Sequence, residues 1–318
     1  MARHAVNAQT TIADTVRVVG IGVHSGQEVT ITLQPADADT GIVFVRTEAV
    51  KGRDVEIPAV WTNVSATDLC TMVGDPKQAS VATIEHLMAA LRGLGVDNLI
   101  IEIDGAEVPV MDGSADAFIE AIDQVGLVTQ SARRRWIKVL KPVRVEMGNG
   151  WAELRPHDGQ RYEVTIDFPD RVIGRQAIGV DLSPKVFREQ VARARTFGFV
   201  KDLEKLLPMG LCRGSSLENS VAIKDDRVLN PEGLRWADEF VRHKLLDAIG
   251  DLALSGAPIL GLYRSYRGGH RMNYLTLKAL FADPTAWTLV DAPSRATASP
   301  AAEIGLGMVA PAYRAEVA

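Results

Sequence analysis

The stretch EFVRHKLLDAIGDL, residues 239–252, combines an apolar body with a row of polar groups. Phe240, Leu245, Leu246, Ile249 and Leu252 leave a helix built from it little surface to give to solvent, yet His243, Asp247 and Asp251 recur every fourth residue. Four residues overshoot a helical turn by only about 40°, so these three side chains form one polar stripe. Two carboxylates four apart repel each other by roughly 0.2–0.5 kcal/mol even in water. Burial makes them far costlier unless a cation or a donor neutralises them. A metal would do so, and so would a turn cap or an arginine partner such as Arg242.

Outward from this helix, the sequence alternates strand and helix signals. QEVTITL at 27–33 has the period of a half-buried strand, and similar runs occur at 41–46, 98–103, 136–146, 151–155 and 161–168. Ser80 is placed to cap SVATIEHLMAALRGLG, which Gly93 and Gly95 would stop, and Ser114 to open a helix through SADAFIEAIDQVG. Further helices are expected from Pro184, from Pro231 to about Ser255, and from His270 to Phe281. In each half strands precede helices, which points to α+β layers. The basic stretch SARRRW suggests a boundary near 127–135, giving units at 1–130 and 131–285. The tail 286–318, rich in Ala and Pro, is expected to be loosely packed or disordered.

The bulk numbers exclude several classes. With 318 residues, 47% hydrophobic and 24% charged, the chain is neither a single small module nor a fibrous or wholly disordered one. A net charge of −5 argues against nucleic acid as a partner, since such binders usually carry a basic excess. Apolar runs such as 99–103 fall far short of the roughly 20 residues that cross a bilayer. The first residues lack the pattern of a secretory signal, so a soluble, cytoplasmic protein is expected. Cys70 and Cys212 are too few for a disulfide framework, and reduced, packed thiols are expected.

Three further segments bear on chemistry. TIEHLMAAL sets Glu85 beside His86 at a helix start. A lone histidine there is often a satisfied core residue, but His86 with His243 and Asp247 makes three ligands suited to zinc, with a fourth position left for water. The same donors also accept ferrous iron. Glu85 would then be placed to take a proton from that water. SYRGGHRMN puts His270 after a Gly-Gly pair, either as a surface histidine or as a general acid, with Asp251 a plausible partner that favours its cation. ARARTFGF joins the hydroxyl of Thr196 to Phe197 and Phe199, aromatics that core packing explains equally well.

Taken together, GIGVHSG, LCTMV, TIEHLMAAL, VPVMDGSA, ARTFGF, RVLNPEGLR, DEFVRHKLLDAIGDL and GGHRMN occur in the order and spacing of UDP-3-O-acyl-N-acetylglucosamine deacetylases, and the chain resembles that family from near residue 10 to about 285. The resemblance implies two similar α+β domains with helices sandwiched between two sheets. It implies one zinc at His86, His243 and Asp247, Glu85 as base, His270 as the group that protonates the leaving amine or stabilises the oxyanion, Asp251 as its support, and Thr196 as an oxyanion donor. The substrate would be a small molecule, an acylated UDP-amino sugar of lipid A synthesis, and the chain is expected to be a monomer. Lys244 and Phe197 are expected at the substrate, with Phe168, Phe199, Asp202 and Arg267 near the nucleotide. The insert at 200–221, with Leu203, Leu206, Leu207, Leu211, Cys212 and Val221, would line a passage for the acyl chain.

Overall fold

The computed structural model describes residues 7–291. Among them the fold is α+β, with helices packed between two main sheets. The first sheet has five strands, ordered Val16–Ile21, Glu28–Pro35, Leu99–Ile103, Ile42–Val50 and Arg53–Pro58. Its neighbours run antiparallel except Leu99–Ile103 beside Ile42–Val50. The alternation read in QEVTITL is realised: Val29, Ile31 and Leu33 point into the core and the residues between them do not.

The second sheet is built around Ile259–Tyr266, which pairs with Gly150–Arg155, Gln160–Asp167 and Arg135–Val139. Val143–Met147 and Arg175–Asp181 extend it. The chain passes from strand Leu127–Arg133, paired with Ala8–Ile12, into this sheet across Arg134, whose guanidinium grips Asp97 at 2.6 Å.

The helices are α1 (Glu85–Leu94), α2 (Asp116–Val125), α3 (Pro184–Gln190), α4 (Val200–Leu206), α5 (Glu239–Ala253) and α6 (His270–Ala282). Ser183 caps α3 by accepting from the Val186 N–H, with Pro184 at its first turn. Leu87, Met88 and Leu91 of α1 and Leu245, Leu246 and Ile249 of α5 join side chains of both sheets in one core. The two helices approach backbone to backbone at Gly250, where an added Cβ would collide with the carbonyl of Glu85. None of the described helices is long and apolar enough to cross a membrane.

Several expectations are corrected. The helix expected from Pro231 begins only at Glu239, because Gly233 takes a positive φ and Arg195 holds the Gly233 carbonyl and Glu232. The run 136–146 breaks into two strands at 140–142, where Pro142 offers no N–H. Ser80 lies in strand Ala79–Val81 rather than capping α1. Part of the supposedly loose tail, Trp287–Asp291, is a strand hydrogen-bonded to Arg135–Val139; residues 292–318 lie outside the described residues. Cys70 is buried as expected, whereas Cys212 is only half-buried.

The contact at Gly250 generates a direct test. Gly250→Ala is expected to cost roughly 3 kcal/mol by overpacking, read as a lower denaturation midpoint, and to push His86 away from His243. Unchanged stability would show that the two helices have room to separate.

Candidate active site

The N-terminus of α1 is approached through Thr83, a buried residue at φ 56° whose left-handed turn aims the helix start. Glu85 and His86 follow in the first turn, and successive residues on a helix diverge by about 100°. His86 therefore faces α5 while Glu85 faces Thr71 and His270. All three polar residues of the α5 stripe are buried, each about 2% exposed.

Asp247 stands between two imidazoles. Its Oδ1 lies 3.3 Å from His243 Nε2 and 3.6 Å from His86 Nε2, while its Oδ2 accepts from Lys244 Nζ at 2.9 Å. One potential ligand atom from each of His86, His243 and Asp247 falls within 4.8 Å of the others. His243 Nδ1 is hydrogen-bonded to the Ala194 carbonyl at 3.0 Å, which fixes the proton there and leaves Nε2 as a free lone pair. Asp247 Oδ1 is buried with no hydrogen-bond partner. An unpaired buried carboxylate oxygen is costly, and a cation between it and the two imidazoles removes that cost; the donor set fits a divalent metal.

The electrostatics agree. Burial drives the His243 pKa down to about 3, Asp247 opposing it, so the imidazole is neutral, as a ligand must be. Asp247 is held well below the usual carboxylate range, since His243 and Lys244 outweigh the effect of burial.

Beside this trio a second cluster forms from Glu85, Asp251 and His270. His270 Nδ1 meets Asp251 Oδ2 at 2.9 Å, and its Nε2 points toward Glu85 Oε1 at 3.9 Å and Asp247 Oδ2 at 4.0 Å. Burial opposes a charge on His270, but Asp251 and Glu85 prevail and lift its pKa to about 10. Burial raises Glu85, with His270 and His86 pulling it back. A carboxylate and an imidazolium thus confront the same space with opposite proton tasks.

That space is a cavity of about 620 Å³. Glu85, His86, His243, Asp247, His270, Lys244 and Thr196 line it, together with Phe197, Phe168, Phe199 and Asp202. Leu203, Leu206 and Cys212 supply part of its apolar wall, whereas Val221 is buried in the core and Leu207 is exposed outside. Asp251 stands behind His270 rather than at the surface of the cavity. Arg267 does not line it either; its guanidinium pairs with Asp167 at 3.5 Å and packs on Tyr266.

Sequence reasoning passed over the groups that hold Asp251. Thr71 Oγ1 donates to Asp251 Oδ1 at 2.6 Å, and Asn273 Nδ2 donates to Oδ2 at 2.7 Å, with the Tyr263 hydroxyl in turn on Asn273. The Thr71 N–H also donates to Glu85 at 3.0 Å. Asn273 was discoverable: it lies three residues after His270 and so on the same helix face. Thr71 comes from a strand entry 180 residues away, and nothing local marks it.

Comparison with known proteins identifies the family. Residues 9–282 match the model of the family described as UDP-3-O-acyl N-acetylglycosamine deacetylase. Proteins of Brucella ovis and Brucella canis, each named UDP-3-O-acyl-N-acetylglucosamine deacetylase, are 52% identical over 285 residues, covering 89% of this chain and 99% of theirs. A Brucella melitensis protein of the same name is similar to the same extent. The chain belongs to the UDP-3-O-acyl N-acetylglycosamine deacetylase family.

Proposed function

We propose that the chain is a zinc-dependent amidohydrolase that removes the acetyl group from a UDP-linked, 3-O-acylated N-acetylglucosamine, releasing acetate and a free amine in the committed step of lipid A synthesis. The observation that carries this reading is the unpaired, buried Asp247 Oδ1 between the imidazoles of His86 and His243, with Glu85 and His270 facing the same cavity. His86, His243 and Asp247 would hold the metal.

A zinc held by these residues would supply Lewis-acid activation of the amide carbonyl and of a water molecule. Glu85 is the base: its raised pKa makes it a better proton acceptor than an exposed carboxylate, and the Thr71 N–H fixes its other oxygen. His270 Nε2 gives its proton to the departing amine nitrogen, while Asp251 holds Nδ1 and keeps the ring oriented. Thr196 lines the same cavity and donates its hydroxyl to the developing oxyanion. Lys244 lies 5.5 Å over the Phe197 ring and presents its charge to the diphosphate or sugar. Phe168, Phe199 and Asp202 form the nucleotide side, and the wall from the insert takes the acyl chain.

Acetate release from the purified protein on UDP-3-O-(3-hydroxyacyl)-N-acetylglucosamine tests the reading; a folded, metal-loaded sample inactive on every acyl length would refute it. Glu85→Gln is expected to retain the metal and lose roughly a hundred- to ten-thousand-fold in kcat. Loss of metal from that variant would place Glu85 among the ligands instead.

The pH dependence follows from His270, whose proton is needed and whose pKa stands near 10. Activity should be bell-shaped in pH: it falls on the acid side as Glu85 takes up a proton and on the alkaline side as His270 loses its own. Asp251→Asn removes the charge that raises it and leaves burial to lower it, so the alkaline limb should move down by about one to three units. An alkaline limb that stays in place would assign it to another group.

A further inference from the structure

Glu107 takes no part in the chemistry above, yet it is a buried carboxylate, 5% exposed, with both oxygens engaged. Oε1 accepts from the His24 N–H and from the Thr83 hydroxyl, each at 2.9 Å, and Oε2 accepts from the Ser25 N–H at 2.9 Å. Hydrogen bonds to an ionised acceptor are the strong ones, and two of these three hold the tight turn at 22–26. The turn closes on itself through the Gly26 N–H to the Gly22 carbonyl at 2.9 Å. A Cβ at Gly22 would strike both Glu107 Oε2 and Ser25 Oγ, so the turn and the carboxylate fit together without slack.

The other side of the turn meets the insert. The Arg213 N–H donates to the His24 carbonyl at 3.1 Å and the Gly214 N–H to the Val23 carbonyl at 3.0 Å, while the Cys212 N–H reaches His24 Nδ1 at 3.4 Å. Val23 and His24 line the same cavity as Leu203, Leu206 and Cys212, with Cys212 in contact with His24. The wall of the passage is therefore made of two pieces from distant parts of the chain, and one buried carboxylate sets where the first piece stands.

We infer that Glu107 is a positioning residue that fixes the turn at 22–26 against the insert and so determines which 3-O-acyl chain lengths the enzyme accepts. This rests on the deacetylase reading. Glutamine in its place keeps one acceptor oxygen but turns an NH2 toward a backbone N–H, donor against donor, which frees one end of the turn. The bend that leads into α1 does not depend on the Thr83 bond alone, because Ala82 N–H to the Ala106 carbonyl and Val108 N–H to the Ala82 carbonyl hold it at 2.9 and 3.0 Å. The groups that break the amide bond are therefore expected to keep their places, which the unacylated substrate tests.

The experiment compares wild type, Glu107→Gln and Gly22→Ala on UDP-N-acetylglucosamine without an acyl chain and on a series of 3-O-acyl substrates from short to long. Zinc content and thermal midpoint are measured in parallel, and Gly22→Ala wedges the same turn away from Glu107 by steric contact without changing the chemistry of the carboxyl group. Both variants should hold activity on the unacylated substrate within about twofold and lose roughly tenfold in kcat/KM for the preferred chain, mainly through KM, with the length profile flattened. An equal fall in kcat on every substrate, or an unaltered length profile in both variants, would overturn the inference. A wild type inactive on the whole series would instead overturn the deacetylase reading, and this inference with it.

Discussion

Everything at the centre of this molecule depends on a carboxylate kept out of water with one oxygen unpaired. Lys244 takes Oδ2 of Asp247 and two imidazoles stand within 3.6 Å of Oδ1, so the unpaired oxygen sets a demand that a cation would fit. The demand is met only if α1 and α5 lie close enough for His86 to reach across. Gly250 provides that approach by giving the Glu85 carbonyl room. The packing of two helices and the chemistry of the site are thus one constraint, and the two sheets serve to press the helices together.

The same geometry separates proton tasks. Each helical step of four residues adds about 40°, so the stripe read from EFVRHKLLDAIGDL does not act as a unit. His243 and Asp247 face His86, while Asp251 is rotated toward His270 and α6. Likewise Glu85 and His86, adjacent in sequence, look toward different partners. Asp251 is further held by Thr71 and Asn273, so the charge that sustains the His270 proton is itself immobilised.

How much of this was legible follows from whether the cause is local. The α+β layering, the alternating strand at QEVTITL and the polar stripe of α5 are set by periodicity, which sequence displays directly. The start of α5 was misplaced because Gly233 and the reach of Arg195 override a proline signal at 231. The strand Trp287–Asp291 was hidden in a segment rich in Ala and Pro, since an edge strand needs only a partner to pair with. The contacts of Thr71 and Glu107 were invisible for the same reason: they exist only once distant segments meet. Arg267 shows the converse, a charged residue in a suggestive motif that the fold directs to Asp167 and away from the cavity.

The most direct measurement is acetate release from the acylated UDP-sugar by one preparation as isolated, after metal removal by chelation, and after return of one equivalent of zinc or ferrous iron, with circular dichroism recorded at each stage. The account requires a folded apoprotein without activity and recovery on adding the metal. Full turnover by a verified metal-free protein, or no recovery in a folded, reloaded one, would contradict the claim that the buried Asp247 and its two imidazoles exist to hold a catalytic cation.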